Sequence, residues 1–209
     1  MKSTTIRHEY SYRVFSEKVN IDFKVPFLKQ QVSGKKNLNI TKVNKIKNCD
    51  NKNYFLLNSN EAKFCKKDQL KVFIRKNLSY EVLNKNISHS DLSFKILTHP
   101  MGLYLFKRKN YVLHSSAINI NNKGFIFMGL SGSGKSSLIA SLLNYGEMIT
   151  EDISKIRFIE NSAFVSPSLP VIKLSQEILE HHKFEIVDEF DIAGDIRSRK
   201  GYVINNFDR

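Results

Sequence analysis

The stretch GFIFMGLSGSGKSS at residues 124–137 decides the fold of this 209-residue chain. It contains the pattern G-x-x-x-x-G-K-[ST], which starts at Gly129 and ends at Ser136. The apolar run at 124–128 is typical of a buried strand, and the sequence SSLIASLL at 136–143 is typical of a helix. The sequence therefore predicts a strand, a glycine-rich loop and a helix in direct succession.

This order of elements is the one that a phosphate-binding loop requires. Glycines permit backbone conformations closed to other residues, so their N–H groups and the helix N-terminus can surround phosphate oxygens. Lys135 would reach the β and γ phosphates, and the Ser136 hydroxyl would ligate Mg²⁺. The alternative is a glycine-rich turn with a surface lysine. We expect a nucleoside triphosphate, ATP with Mg²⁺, at Gly129, Leu130, Ser131, Gly132, Ser133, Gly134, Lys135, Ser136 and Ser137.

An acidic pair, Glu151 and Asp152, ends the next predicted strand at 148–150. A carboxylate beside the loop can hold Mg²⁺ or accept a proton from an attacking hydroxyl. A solvated acidic turn is the alternative, and the position beside the loop favours a functional role. His114 lies in the strand predicted at 112–120, where a histidine is either a catalyst or a satisfied core residue.

The first part of the chain is predicted to be rich in strands. Residues 9–25 alternate apolar and polar side chains and predict a strand. Residues 36–56 predict short strands joined by turns, and 71–75 predict one more. We therefore expect a small β-rich N-terminal domain at 1–89.

Helical spacing begins near Ser90-Asp91, a candidate N-cap. Pro100 interrupts this pattern, so it indicates either a kink or two short helices. A nucleotide-binding domain is expected at 90–209, with a short helix at 175–183, while 184–209 has no clear pattern.

The net charge of +13 is uneven along the chain. Residues 1–110 hold 23 Lys and Arg against 8 Asp and Glu, whereas 111–209 hold 10 against 12. A basic first half could dock an acidic partner, such as a peptide, nucleic acid or a membrane surface. Scattered lysines are also the ordinary solvated surface of a lysine-rich protein, and we favour this second interpretation. Few aromatic residues alternate with the lysines, so nucleic acid is not expected.

The chain has two cysteines, Cys49 and Cys65. It starts without an apolar segment of the kind found in secretory signals, and no apolar run reaches the roughly 20 residues of a membrane span. The two cysteines could pair, but we expect a cytoplasmic protein without a membrane partner, in which both thiols are free. Their spacing makes a poor zinc site.

The stretch LHSSAININNKGFIFMGLSGSGKSSLIASLLNYGEMITEDISKIR, at 113–157, resembles the catalytic core of the HPr serine kinase/phosphorylase family. It resembles even more the HPr-kinase-like proteins of peptide-modification gene clusters, such as lasso-peptide kinases, which have a similar Leu-His-x-Ser-Ala strand. The segment PVIKL at 170–174 also fits. The resemblance covers most of the chain and is specific over 111–174.

This resemblance implies an α/β fold, a P-loop kinase domain of the HPr kinase/phosphoenolpyruvate carboxykinase type, preceded by the small β-rich domain. It implies that Lys135 and Ser136 bind phosphate and Mg²⁺, and that Asp152 is a second metal ligand. Glu151 occupies the position of the carboxylate that accepts the proton of the substrate serine. His114 matches a histidine near the family's site.

The chain departs from the family pattern in two respects. Glu151 stands where the family usually has an aspartate, and its side chain is one methylene longer. In addition, the chain has no Glu-x-Arg-Gly segment and ends 74 residues after Lys135. We expect no closing hydrophobic strand there, so the domain would be short at its C-terminus.

Three hypotheses follow from the sequence. The first is an ATP-dependent kinase, either a monomer or a homo-oligomer, that phosphorylates a serine hydroxyl of a small protein or peptide. The second is a catalytically impaired, nucleotide-gated module that presents a peptide-binding N-terminal domain. The third is a plain NTPase that works with another chain. Glu151 and the short C-terminus favour the second hypothesis.

Overall fold

The computed structural model of the protein describes residues 10–30, 38–47 and 49–208; Glu9 and residues 36–37 and 48 of the predicted strand regions lie outside them. The described residues form four helices and fifteen strands. The helices are α1 His89–Leu97, α2 His99–Lys107, α3 Lys135–Leu142 and α4 Gln176–Glu180. The strands are β1 Tyr10–Val14, β2 Glu17–Ile21, β3 Leu38–Lys42, β4 Tyr54–Leu57, β5 Ala62–Lys66, β6 Leu70–Ile74, β7 Leu78–Val82, β8 Tyr111–Ile120, β9 Lys123–Met128, β10 Glu147–Thr150, β11 Ile153–Ile159, β12 Ser162–Ser166, β13 Val171–Leu174, β14 Ile186–Asp191 and β15 Lys200–Ile204.

Strands β1 to β7 form one sheet with the order β1-β2-β3-β7-β6-β5-β4. Strand β3 is parallel to both of its neighbours, and the other pairs are antiparallel. In β6, Leu70, Val72 and Ile74 are buried and alternate with half-buried residues, as expected when one sheet face covers a core. The strand content expected of the first 89 residues is therefore present.

The single strand predicted at 9–25 is wrong, because the structure has the hairpin β1–β2 there. Phe15 and Ser16 form its turn, with φ angles of 52° and 61°. Such left-handed turns are usually built from Asn or Gly, so the sequence carried no turn signal. Phe15 is buried, and its N–H donates to the Pro167 carbonyl at 2.8 Å. Tertiary contacts, rather than local preference, therefore hold this turn.

The helical region near residue 90 consists of two short helices, one of the two alternatives that Pro100 indicated. The N-cap of α1 is Ser88, not Ser90, and its hydroxyl accepts a hydrogen bond from the Asp91 N–H at 3.1 Å. Pro100 lies in the first turn of α2, where its missing N–H removes no helical hydrogen bond.

One hydrophobic core joins the N-terminal sheet to both helices and to later strands. Tyr12 and Ile40 of the first sheet belong to the same buried cluster as Leu97, Ile153 and Val203. A second, smaller cluster surrounds α3 and includes Ile139, Leu143, Ile172 and Tyr202. The boundary at residues 89/90 stays a prediction, and the larger core lies across it.

Strand β8 is the centre of the second sheet, whose order is β10-β8-β11-β12, and β9 also pairs with β8. The strand before the glycine-rich loop was expected to be buried, and this is wrong. Phe125, Ile126 and Met128 of β9 are 45%, 37% and 63% exposed. An apolar run cannot distinguish a buried strand from a sheet edge that the described residues leave uncovered.

The third sheet has the order β13-β15-β14. The expectation that no hydrophobic strand closes the domain is wrong, because β15 is the central strand and Tyr202, Val203 and Ile204 are buried in it. Tyr202 pairs with Ile172 on one side and Glu189 on the other. Three consecutive apolar residues are too few to reveal a strand period, which is why 184–209 was ambiguous.

The expectation of free thiols is also wrong, because Cys49 and Cys65 form a disulfide. Both belong to a small buried cluster with Ile46, against which Tyr54 and Phe73 pack. In this cluster the loop after β3, which carries Cys49, packs against β5, which carries Cys65. None of the described helices is long and apolar enough to cross a membrane.

The ion pair between Asp91 and Lys95 allows a test of the core. Its N–O distance is 2.5 Å, and the two side chains are 2% and 8% exposed. Asp91→Ala should lower the free energy of unfolding by roughly 3–5 kcal/mol, because it leaves a buried ammonium without its partner. Urea denaturation would measure this loss.

Asp50→Ala is the matched control, because it removes an aspartate that is 75% exposed from a surface pair with Lys52. This variant should unfold close to wild type, since surface ion pairs stabilise little. Equal effects of the two variants would show that burial of the Asp91 pair has no energetic consequence.

Candidate functional site

The glycine-rich loop borders a cavity of about 480 Å³. Six other parts of the fold meet the loop there: α2, β8, the turn between β10 and β11, β13, the start of α4, and the segment between β14 and β15. The lining residues are His99, His114, Ser131, Gly132, Gly134, Lys135, Ser136, Ser137, Asp152, Lys173, Leu174, Ser175, Glu177, Ile178, Arg197 and Arg199. The structure therefore brings the predicted loop, Asp152 and His114 to one place.

The loop depends on its glycines in two different ways. Gly132 and Gly134 have φ angles of 89° and 87°, a conformation that favours glycine, and Gly134 is the N-cap of α3. At Gly129 the limit is space, because a Cβ atom there would lie 2.6 Å from the Ser133 hydroxyl oxygen, and that hydroxyl would have to move. The Lys135 ammonium donates to the carbonyls of Gly129 and Leu130 at 2.8 and 3.0 Å. It is thereby held at the loop's own backbone.

Glu151 lies beneath the loop rather than on the cavity wall. Its carboxylate accepts a hydrogen bond from the Ser136 hydroxyl at 2.6 Å, and the residue is only 4% exposed. Burial, reinforced by the nearby charge of Asp152, raises the pKa of Glu151 to about 7. Its second oxygen, Oε2, is buried with no hydrogen-bond donor among the described residues.

Asp152 lines the cavity and forms a buried ion pair with Lys173 of β13. Burial alone would raise the pKa of Asp152, but the charges of Lys173 and His99 and the hydrogen bond from Lys173 outweigh it and hold the pKa below its ordinary value. The backbone of Asp152 has a φ of 66°, and the Ile153 N–H donates to the Glu151 carbonyl at 2.9 Å. This tight turn, rare for a residue other than glycine, directs the two neighbouring carboxylates differently.

His114 lies beside this turn and has an exposed side chain. Its Nδ1 is 3.0 Å from the Asp152 carbonyl oxygen, so Nδ1 carries the proton and donates it. In the neutral ring, Nε2 is then left as an acceptor. The histidine is thus not a buried core residue, and its hydrogen bond goes to the backbone of Asp152.

Several cationic groups of the site were missed by sequence reasoning. Lys173 drew notice only as part of the PVIKL resemblance, and Arg197 and Arg199 fell in the segment without a pattern. A Cβ atom at Gly132 would lie 2.8 Å from a guanidinium nitrogen of Arg197, so this arginine rests directly on the loop. Arg199 is held by Asp195 at 2.7 and 3.2 Å. The alternating basic residues in DIRSRK were the one available signal.

This arrangement suits a polyphosphate anion. Loop N–H groups at the start of α3, together with Lys135, Arg197 and Arg199, place positive charge around the cavity. The described residues contain no cluster of three or more His, Cys, Asp or Glu that could hold a metal by itself. Ser136 and Glu151 nevertheless fit a divalent cation that phosphate oxygens also ligate, because Glu151 Oε2 is a buried acceptor without a donor.

A comparison with models of known protein families gives no match, and neither does a comparison with curated protein sequences. The likeness of residues 111–174 to HPr-kinase-like proteins therefore stays a proposal.

The raised pKa of Glu151 makes the stability of the protein depend on pH. Between pH 4.5 and about 7 the folded protein holds this proton more tightly than the unfolded chain does. The ionised carboxylate therefore destabilises the fold above pH 7, and this cost vanishes as the pH falls to 4.5. Glu151→Gln should add roughly 3 kcal/mol to the free energy of unfolding at pH 8, and almost nothing at pH 4.5.

Thermal denaturation at the two pH values would measure this difference. Glu185→Gln, a change at an exposed glutamate, is the control and should have little effect at either pH. A gain for Glu151→Gln that is the same at pH 8 and pH 4.5 would contradict the assignment of the effect to a buried charge.

Proposed function

We propose that this protein binds ATP with Mg²⁺ and transfers the γ-phosphoryl group to a serine hydroxyl of a small protein or peptide. The observation that carries the proposal is the convergence, on one cavity, of the glycine-rich loop, the Asp152–Lys173 ion pair and the two arginines. Phosphoryl transfer needs positioning and charge neutralisation around an anion, and a base near the attacking hydroxyl. The cavity wall offers groups for both.

The contacts suggest separate roles for the two carboxylates. Ser136 and Glu151, which are hydrogen-bonded to each other, would hold Mg²⁺, which neutralises charge on the phosphates when bound. Asp152 faces the cavity and would accept the proton. The resemblance in the sequence favoured the opposite assignment, with Glu151 as base and Asp152 as metal ligand.

In the proposed reaction the serine oxygen forms a bond to the γ-phosphorus, and the bond from that phosphorus to the β–γ bridging oxygen breaks. ADP leaves with the electron pair of the broken bond, and the serine proton passes to Asp152. Lys173 keeps Asp152 ionised, so the carboxylate is ready to accept a proton but is a weak base. Phosphoryl transfer requires little basicity when its transition state is loose.

Arg197 would stabilise the negative charge on the phosphoryl group during its transfer. It rests on Gly132 and belongs to an exposed part of the segment between β14 and β15. The proposal keeps the cytoplasmic location expected from the sequence, although disulfides such as Cys49–Cys65 are uncommon in that compartment.

A nucleotide-gated binding module is the second candidate. The Lys173–Asp152 ion pair is the observation that favours it, because an aspartate already neutralised by a buried lysine is a poor proton acceptor. In such a module the loop would bind ATP without turnover.

Nucleotide binding can be tested at Lys135. Lys135→Ala should weaken Mg-ATP binding by roughly 1.5–3 kcal/mol, the scale of a hydrogen bond to a charged group. Isothermal calorimetry would measure the affinity, and Lys123→Ala, which removes an exposed lysine from β9, is the matched control. Millimolar Mg-ATP should also raise the Tm of wild type, and EDTA should reduce that shift. Equal affinity in the two variants would refute the phosphate-loop interpretation.

The roles of the two carboxylates can be separated with conservative variants. Asp152→Asn should reduce phosphoryl transfer at least about hundredfold, the usual scale of general-base catalysis, with an unchanged Mg²⁺ requirement. Glu151→Gln should instead shift the Mg²⁺ requirement to higher concentration. Mass spectrometry of serine-bearing peptides and ADP release would report transfer.

The opposite pattern, with Glu151→Gln losing rate at unchanged metal dependence, would restore Glu151 as the base. His114→Ala should slow transfer if the ring contacts substrate, and should chiefly lower Tm if it only supports the turn. Tight ATP binding without ADP release, with any peptide, would establish the binding module.

A further inference from the structure

Two more cavities continue from the phosphate site across the molecule. One, of about 630 Å³, shares His99, Lys173 and Arg199 with the site described above. The other, of about 270 Å³, shares Phe55, Phe64 and His99 with the second. His99 borders all three. The three cavities therefore adjoin one another at His99. This row of cavities, which we call the groove, reaches from Asp152 to strands β4 and β5 of the N-terminal sheet.

The far end of the groove is apolar. Phe55 of β4 and Phe64 of β5 are cross-strand partners, and both line the second and third cavities. Leu103 and Phe106 of α2 face them, with Val112 of β8 beside these. Phe55 is 70% exposed, which is unusual for a large aromatic side chain beside an apolar cavity.

Strand β4 adds open backbone to this surface. It lies at the end of its sheet, and among the described residues it pairs only with β5. Its residues Leu56 and Leu57 are also 46% and 38% exposed. Proteins usually protect sheet edges with charges, prolines or covering loops, and a bare apolar edge is a surface on which another strand can pair.

The middle of the groove carries an uncompensated positive charge. Lys173, Lys95 and Arg199 each have a carboxylate partner. Lys66, at the end of β5, lines the same cavity and makes no ion pair with any of the described residues. Its charge acts on His99 and Lys95, lowering the pKa of each, although burial is the larger cause in both.

We propose that this groove binds the acceptor polypeptide in an extended conformation and delivers its serine to Asp152. The acceptor class is a serine-containing segment with a large apolar side chain for the Phe55–Phe64 surface and a carboxylate for Lys66. This inference rests on the proposed function, since it assigns the substrate of the same site. Phe55, Phe64 and Lys66 are its specificity-determining residues.

A polypeptide fits the groove better than a small molecule does. The main chain of a polypeptide can pair with the open backbone of β4. One of its side chains can fill the apolar pocket, and a carboxylate on another can pair with Lys66. These features lie along a surface that continues to the phosphate site. An extended chain can contact all of them and still place a hydroxyl beside Asp152.

The test uses three pools of synthetic dodecapeptides with a fluorescein label and a central serine. The first pool carries Phe and Glu at all spacings from the serine, the second has Lys in place of Glu, and the third has Ser in place of Phe. Fluorescence anisotropy without nucleotide measures binding to the full chain, and a Mg-ATP thermal shift is recorded separately. Wild type should bind the first pool at least about tenfold more tightly than the other two.

The variants then locate the binding surface. Phe55→Ser should reduce binding of the first pool about tenfold and keep the Mg-ATP thermal shift. Phe158→Ser, which changes a phenylalanine 62% exposed on β11 and outside the groove, should bind like wild type. Lys66→Glu should invert the preference between the first two pools, an effect that a merely structural lysine would not produce.

Two results would overturn the proposal: wild type that binds the three pools equally or not at all, or Phe55→Ser that binds as well as Phe158→Ser. Self-association of wild type that disappears in Phe55→Ser, without peptide binding, would instead make the groove an interface between two copies. A missing Mg-ATP shift beside intact peptide selectivity would refute the proposed function and leave the groove standing.

Discussion

The buried ion pair between Lys173 and Asp152 is the contact on which the site depends. It connects the third sheet, through β13, to the turn that ends β10 in the second sheet. The Lys173 ammonium also lies 5.6 Å from the centre of the Phe94 ring, which brings α1 into the same arrangement. Removing either partner of a buried ion pair leaves an uncompensated buried charge and is strongly destabilising. The contacts of Lys173 therefore hold three parts of the fold around the cavity.

For the carboxylate of Glu151, unlike that of Asp152, the cost of burial exceeds the stabilisation by its partners. It is buried beside a second carboxylate, and its hydrogen bond to Ser136 offsets only part of that burial. Next to it, Asp152 holds a left-handed backbone that most residues avoid. Strained backbone and unpaired buried charges are concentrated at functional sites, because a bound ligand can supply the interactions that the protein alone does not. A divalent cation would give the unpartnered oxygen of Glu151 a neighbour of opposite charge.

The sequence predicted the elements around the loop well, because β8, the loop and α3 are contiguous and their patterns are local. It could not assign Glu151 and Asp152 to different surroundings, since no local residue pattern marks the left-handed φ of Asp152. Arg197 reaches the loop from a segment far along the chain, and no period marks it. The turn at Phe15 was missed for the same reason, because the Phe15 N–H donates its hydrogen bond to the carbonyl of Pro167. Arg197 and Phe15 are each positioned by a contact with a residue far away in the sequence, which local patterns do not predict.

The hydrophobic core that runs from the first sheet through α1 and α2 to β11 and β15 has a consequence for how such a chain can change over time. Neither half could be exchanged for an unrelated module, because each supplies part of the other's interior. On the proposed function, new acceptor preferences would have to arise by substitutions at the exposed residues of β4, where side chains can change without disturbing that interior. The scaffold would then stay constant while the repertoire of partners diversified at one edge.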